Sequence, residues 1–406
     1  MDFVKDCQVR GLCYILHGKD TLWEKGDTND MTTLHEAFAS LFTTNMGVRE
    51  GERIVVFSDI IRADETPLPA DVSRRKRLLA VAKEAADFAR DTYGNASFVS
   101  YPATAASGAE PPEVLWRAVL GEHTIDRLIA VGIFPHLLAK SASEEELLAA
   151  KDIVLAEKAG VADVVIALAN NSTSHTRFRA LANHAGSRFA SLPTFDPEMF
   201  FTSLRVDWPA LAERTSLLAE AVNRAVEILV ETPNGTHMRF GKKGRIAAGD
   251  DGLLTQPGSF GNLPAGEVYL APLEGTSTGV MVLEYAPTRK LATPVTLVVD
   301  AGRVIEARGD EPHRLKLEQK FAESAENRNI AELGIGTNDQ ASRPDNILEA
   351  EKILGTIHIA LGDNSGFGGV VQTPFHEDYV FYHPTLTAIM ADGTERTLLE
   401  NGKLLL

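Results

Sequence analysis

The chain has 406 residues, 44% of them hydrophobic and 24% charged, with a formal net charge of -16. That length exceeds one hydrophobic core and suits two domains of about 200 residues, while the acidic balance argues against a nucleic-acid partner, because phosphate binding needs a basic face. Cysteine occurs only at Cys7 and Cys13, so no disulfide framework or four-cysteine zinc site can be built, and no segment reaches the roughly 20 apolar residues of a membrane span. The expected setting is a reducing cytoplasm, with no signal peptide and no membrane partner.

Residues 1–30 read as an N-terminal extension of unclear role, closing in the turn-rich run Gly26-Asp27-Thr28-Asn29-Asp30. Thr33 then caps an expected helix whose apolar stripe is Leu34, Phe38, Leu41 and Phe42. Alternation of strands and helices follows. Strands are expected at 53–57, 97–101, 127–131 and 164–168, and helices at 72–92, 111–120, from Ser143, and from Trp208 to about Val230. This pattern predicts an α/β domain over 31–230, an open and mainly parallel sheet with helices on both faces. After the 164–168 strand comes Asn170-Asn171-Ser172-Thr173-Ser174-His175-Thr176, at the end of a sheet where open α/β folds bind ligands. It reads as a polar loop with Ser174 as helix cap, and His175 as the one ring there to test.

From Glu231 the texture changes to dense turns and short strands, which predicts a second, α+β domain over 231–406. A strand is expected over 236–240, a hairpin around Ala301-Gly302-Arg303, and helices over 312–327 and 346–354. Four strand-like pieces here share one arrangement. Glu267 opposes Val268 and Leu270, Glu332 opposes Leu333 and Ile335, His358 opposes Ile357, Ile359 and Leu361, and His376 with Asp378 opposes Phe375, Glu377 and Tyr379. Alternate side chains of a strand share a face, so if the apolar faces pack into one core, three carboxylates and two imidazoles converge on the other side. Each residue alone reads as an ordinary solvated acid or a core histidine; the recurrence of the pattern makes the case. Such a set can hold two divalent ions with one carboxylate bridging, which activates water for amide hydrolysis beside an amino terminus. The loop Gly362-Asp363-Asn364-Ser365-Gly366-Phe367-Gly368-Gly369 lacks the ending of a phosphate-binding loop and is expected to wall the site.

The runs Leu263-Pro264-Ala265-Gly266-Glu267-Val268, Ala331 to Asn338, Gly355 to Gly362 and His376-x-Asp378, with Ser174-His175-Thr176-Arg177 and Gly186 to Pro193 upstream, resemble in order and spacing the aminopeptidase T family of thermophilic metallo-aminopeptidases. The resemblance implies a two-domain, homodimeric hydrolase acting on peptides with a free N-terminus through two zinc, cobalt or manganese ions. By motif it implies Glu267, Glu332, His358, His376 and Asp378 as ligands, with Glu332 bridging. The family's tyrosine near the metals is matched here by Phe367, leaving Tyr379 or Tyr382 as proton carriers. Two other readings stand beside this one. Some relatives of the fold look like mononuclear Fe(II) dioxygenases that cleave hydroxylated heteroaromatic rings, for which His358, His376 and Asp378 make a two-histidine, one-carboxylate triad. The third reading is a non-catalytic metal-binding or assembly protein of the same fold.

Overall fold

The computed structural model describes residues 28–406, with side chains from Leu34 onward. The expected extension at 1–30, with both cysteines, lies almost wholly outside the described residues. The first helix begins at Thr28, upstream of the expected cap at Thr33.

A five-stranded parallel sheet runs in the order Ala96–Pro102, Ile54–Ile60, Val164–Ala167, Arg188–Ser191, Phe260–Asn262. Its central strands are buried on both faces, as near-continuous apolar runs require. Ile54, Val56, Val164 and Ile166 point into one core with helices Thr28–Ser40 and Pro69–Tyr93. Val55, Phe57, Val165 and Ala167 point into another with helices Glu113–Leu120, Glu122–Ala130, Glu144–Ala156 and Arg177–Ala185. The expected α/β sheet with helices on both faces is thus present.

One expected strand is not. Residues 127–130 belong to the helix Glu122–Ala130, with Val131 as its C-cap; Thr124, Ile125 and Leu128 are buried while Ile129 and Val131 are exposed. That is a helical stripe set between Gly121 and Gly132, and the four-residue apolar run Leu128 to Val131 carries no length cue to separate it from a strand. The helix expected from Trp208 to about Val230 ends at Asn223, and its tail is the strand Ala225–Glu231. Shorter corrections hold at 312–327, where the helix is Pro312–Glu323 followed by a 3-10 turn, and at 346–354, where only Ile347–Ala350 is helical.

Two antiparallel sheets form the rest. One has eight strands, from Arg303–Arg308 at one edge through Arg289–Asp300, Thr278–Ala286, His237–Gly241, Ala225–Glu231, Thr385–Met390 and Glu395–Glu400 to Lys403–Leu404. The other has five, in the order His376–Phe381, Ile357–Gly362, Ile330–Gly336, Glu267–Leu270, Ala248–Asp250. They pack face to face: Val268, Leu270, Leu333, Ile335, Ile357, Ile359 and Leu361 meet Ile228, Val230, Met238, Phe240 and Leu386 in one core, closed by Leu317 and Phe321 of a helix. Each such side chain contributes about 1.5–3 kcal/mol by leaving water. This core fixes which face of the five-stranded sheet is left for polar groups. No helix among the described residues is long and apolar enough to cross a membrane.

Candidate metal centre

The polar face of the five-stranded sheet carries the five expected ligands. Strand register sets them in rows: Glu332 pairs with Ala360, and Ala360 with Asp378, while Gly334 pairs with His358 and Gly362 with His376. Small residues between the functional ones leave room above the sheet. A Cβ on Gly334 would stand 2.0 Å from the His358 ring, so the imidazole can lie across the neighbouring strand only because that residue is glycine.

Glu332 joins the two histidines. Its Oε1 lies 3.5 Å from His358 Nε2 and its Oε2 3.5 Å from His376 Nε2. His376 Nε2 is also 3.5 Å from Asp378 Oδ2, and His358 Nε2 is 3.3 Å from Glu267 Oε2. Donor atoms within 4.8 Å of one another form three groups: Glu267, Glu332 and His358; Glu332, His376 and Asp378; Glu351, His358 and Asp378. None of these groups holds both histidines. The His358, His376, Asp378 triad is therefore not one cluster here, and Glu332 supplies the third donor beside His376 and Asp378.

The donor set fits a divalent metal. His376 Nδ1 donates to the Asp363 carbonyl at 2.8 Å, which fixes the tautomer and aims the Nε2 lone pair at the carboxylates, as ligating histidines are commonly oriented. The His376 side chain is 33% exposed and so forms the open side, whereas His358 at 1% is enclosed. Protonation shows the same mutual dependence. Burial alone would lower both imidazoles, but carboxylates override it, raising His358 to about 9 through Glu332 and Glu267 and His376 to about 10 through Asp378 and Glu332. Burial would raise Asp378, yet His376 and His358 hold it at about 2, while burial keeps Glu332 raised. Cations are in demand at this place.

Sequence reading missed a cation already there. Lys352, 1% exposed, donates from Nζ to Glu267 Oε1 at 2.5 Å and to Glu351 Oε1 at 2.8 Å. Burial opposes its charge, but Glu267, Glu351 and Asp250 together hold its pKa well above the usual lysine value. Burial pushes Asp250 and Glu351 up to about 7. Residues 351 and 352 fall in the expected helix over 346–354, and an adjacent Glu-Lys pair carries no local sign of burial. Tyr269 was also missed although the signal was present: it shares the Glu267 face by strand alternation, and burial with Asp250 and Glu267 raises it to about 12.

The expected tyrosines are not brought to the cluster. Tyr379 points into the core between the sheets, where its hydroxyl donates to Glu377 and lies 3.1 Å from His313 Nε2. Tyr382 packs on Tyr285 at 5.3 Å. Phe367 does stand at the site, edge-on to His376 at 6.0 Å and to Tyr269 at 5.9 Å. Its loop is braced: Glu274 accepts from Val370 N and Asn364 Nδ2, and Asn364 Oδ1 accepts from Val371 N. Asp363 serves the loop with its carboxylate, accepting from Ser365 N and Thr373 N, and His376 with its carbonyl.

His175, on the loop after the parallel-sheet strand Val164–Ala167, lies near enough to His376 and Asp363 to feel both charges. The cap of helix Arg177–Ala185 is Thr176, whose Oγ1 accepts from Arg179 N; Ser174 instead bonds the Ser172 and Ser191 hydroxyls. The His175 ring is thereby left outside the cap. Burial, with Arg179 and His376 nearby, lowers its pKa against the opposing pull of Asp363, a direction that favours the neutral imidazole.

With this geometry in view, the chain matches the family described as NicX: 2,5-dihydroxypyridine 5,6-dioxygenase over residues 136–405, a span holding every residue of the centre. The chain belongs to that family. Among solved structures it is similar to 2,5-dihydroxypyridine dioxygenase from Pseudomonas putida, at 17% identity and a TM-score of 0.63, covering 92% of this chain and 96% of that one. It is also similar to AmpT from Thermus thermophilus, at 13% identity and a TM-score of 0.56, covering 93% and 100%. No curated protein matches the sequence. The likeness to aminopeptidase T is thus a remote relation of fold. The reading as a metallo-aminopeptidase, a hydrolase and protease, is overturned by the dioxygenase family match; strand motifs common to a fold do not carry its reaction. Metal binding fits the centre, and a pair of zinc, cobalt or manganese ions is not required by it.

Proposed function

We propose that the chain is a metal-dependent dioxygenase that cleaves a hydroxylated nitrogen heteroaromatic ring of the dihydroxypyridine type. The observation that carries this reading is the family match over 136–405. Glu332, His376 and Asp378 would hold a single ferrous ion, an arrangement of one imidazole and two carboxylates with the partly exposed His376 side left for ligands. When bound, such an ion supplies the one-electron chemistry that dioxygen needs to react with a closed-shell ring.

The chain's own residues do the rest. Asp363 locks the His376 ring so that Nε2 faces Glu332 and Asp378. Phe367 and Tyr269 offer aromatic surface beside it, which suits a flat ring in edge-to-face contact. The Phe367 ring in place of a hydroxyl, a loss for peptide hydrolysis, is a gain here. His175, favoured in its neutral form, can accept the proton of a ring hydroxyl as the substrate binds.

The test is oxygen uptake. Protein stripped of metal, reloaded with Fe(II) without oxygen and then mixed with 2,5-dihydroxypyridine in air should consume dioxygen and ring absorbance in equal amounts. Chelation or His376→Ala should stop both. Dihydroxypyridines left intact by the loaded protein would overturn the reading.

A further inference from the structure

We infer that Lys352 stands in for a second metal ion, its ammonium filling the cation position between Glu267 and Glu351 and thereby limiting the centre to one ion. The inference rests on the proposed single-ion site at Glu332, His376 and Asp378 and identifies the residue that sets the number.

The argument is geometric. Five candidate ligands on one face, with a carboxylate reaching both histidines, would serve two ions as well as one. Glu267 is the ligand a second ion would need beside Glu332 and His358. One of its oxygens is already engaged by Lys352 Nζ at 2.5 Å, and the same ammonium reaches Glu351 at 2.8 Å. Displacing it is difficult because the backbone that presents it is held on both sides. Lys352 N donates to the Glu349 carbonyl at 3.0 Å, and the Lys352 carbonyl accepts from Asn338 N at 2.9 Å. The side chain is 1% exposed, so it has no route to water, and a divalent ion placed against Glu267 would face an unscreened positive charge. His358 then stands as an ion-pair partner between Glu267, at 3.3 Å, and Glu332, at 3.5 Å. Lys352 is in this sense a positioning residue, acting on the reaction through the carboxylates it occupies.

Metal counting tests this without any substrate. Stripped protein is loaded with excess Fe(II) anaerobically, and in parallel with Zn(II), desalted, and metal per chain is measured by mass spectrometry, with anomalous scattering to locate each ion. The wild type should hold one ion, and Lys352→Met two, the second against Glu267. Glu267→Gln should still hold one, because Glu267 serves the lysine. Two ions in the wild type, a folded Lys352→Met with only one, or loss of the ion in Glu267→Gln would each overturn the inference. If Lys352→Met does not fold, Lys352→Gln, which removes the charge and keeps a polar end, takes its place, and a folded Lys352→Gln with only one ion overturns the inference equally. One ion per chain with no dihydroxypyridine consumed would defeat the proposed reaction and leave this inference standing.

Discussion

The parallel sheet and the metal-site sheet both bury charged groups, and they do so by opposite means. At the end of the strand Ile54–Ile60, Asp59 is 2% exposed and its two oxygens accept from Asn170 N at 2.8 Å and Asn171 N at 3.0 Å. Backbone amides satisfy it, in a fixed geometry that no ligand needs to complete. On the other sheet Glu267, Glu332, His358, His376, Asp378 and Lys352 face one another as ion pairs, side chain to side chain, and Glu267 Oε2 and His358 Nδ1 are left without a hydrogen-bond partner. A carboxylate satisfied by backbone is part of the scaffold, whereas one satisfied by exchangeable cations is available for chemistry.

The comparison breaks most severely if a ligand is removed. His376→Ala or Asp378→Ala should abolish metal retention and ring consumption, beyond the ~100-fold upper end typical of residues that merely orient a ligand. Asp59→Asn, which keeps an acceptor for the same amides, should leave the metal count unchanged. Metal content and oxygen uptake of the three variants check this, and equal losses in all three would erase the distinction. A second contrast concerns stability. Phe189, fully buried and in edge contact with Phe57, Phe178 and Phe260, belongs to the scaffold. Phe189→Ala should cost about 3–5 kcal/mol in urea unfolding while the folded fraction still retains its ion.

Much of this was legible from sequence, and the residues explain where legibility stopped. The five donors were found because sheet alternation is strict: each stands opposite apolar residues that had to face a core, as Val268, Leu333, Ile359 and Tyr379 do. The parallel sheet was legible from its apolar runs for the same reason. The 127–131 segment was not legible because its four apolar residues, Leu128 to Val131, fit either period. Lys352 was invisible because its burial depends on partners at 267 and 351 and on a turn after Ala350 that no local pattern announces. The reaction was not legible because strand motifs report the fold, which this chain shares with both solved neighbours, and a shared fold does not fix a reaction.

Proton competition gives a smaller effect with a definite sign. In the metal-free chain His358 is raised to about 9 and His376 to about 10, by carboxylates that outweigh burial. Both folded values exceed the unfolded value of about 6.5. Their contribution to stability is therefore fully present below pH ~6.5 and is lost as pH rises through about 9 and 10. Metal binding must expel the His376 proton, so affinity should climb roughly tenfold per pH unit over that window. Thermal melts of stripped protein should fall from pH 6.5 to 10, and those of the loaded protein should stay level. Stripped protein of constant stability across the window would remove the carboxylates as the cause.

The smallest expected effect asks whether the scaffold reaches the chemistry at all. Thr176 Oγ1 accepts from Arg179 N at 3.1 Å and donates to the Thr173 carbonyl at 2.6 Å, so it both caps a helix and pins the loop that carries His175. Thr176→Ala should cost about 1 kcal/mol as a lost cap, read as a modest shift in the unfolding midpoint. If that loop only closes the sheet, nothing else should change. If His175 receives the ring hydroxyl proton, KM for the dihydroxypyridine should rise with the metal count fixed at its wild-type value, and Thr176→Ser, which keeps the hydroxyl, should restore it. The scaffold would then be part of the site through one imidazole, held in place by a hydrogen bond on the far side of the loop.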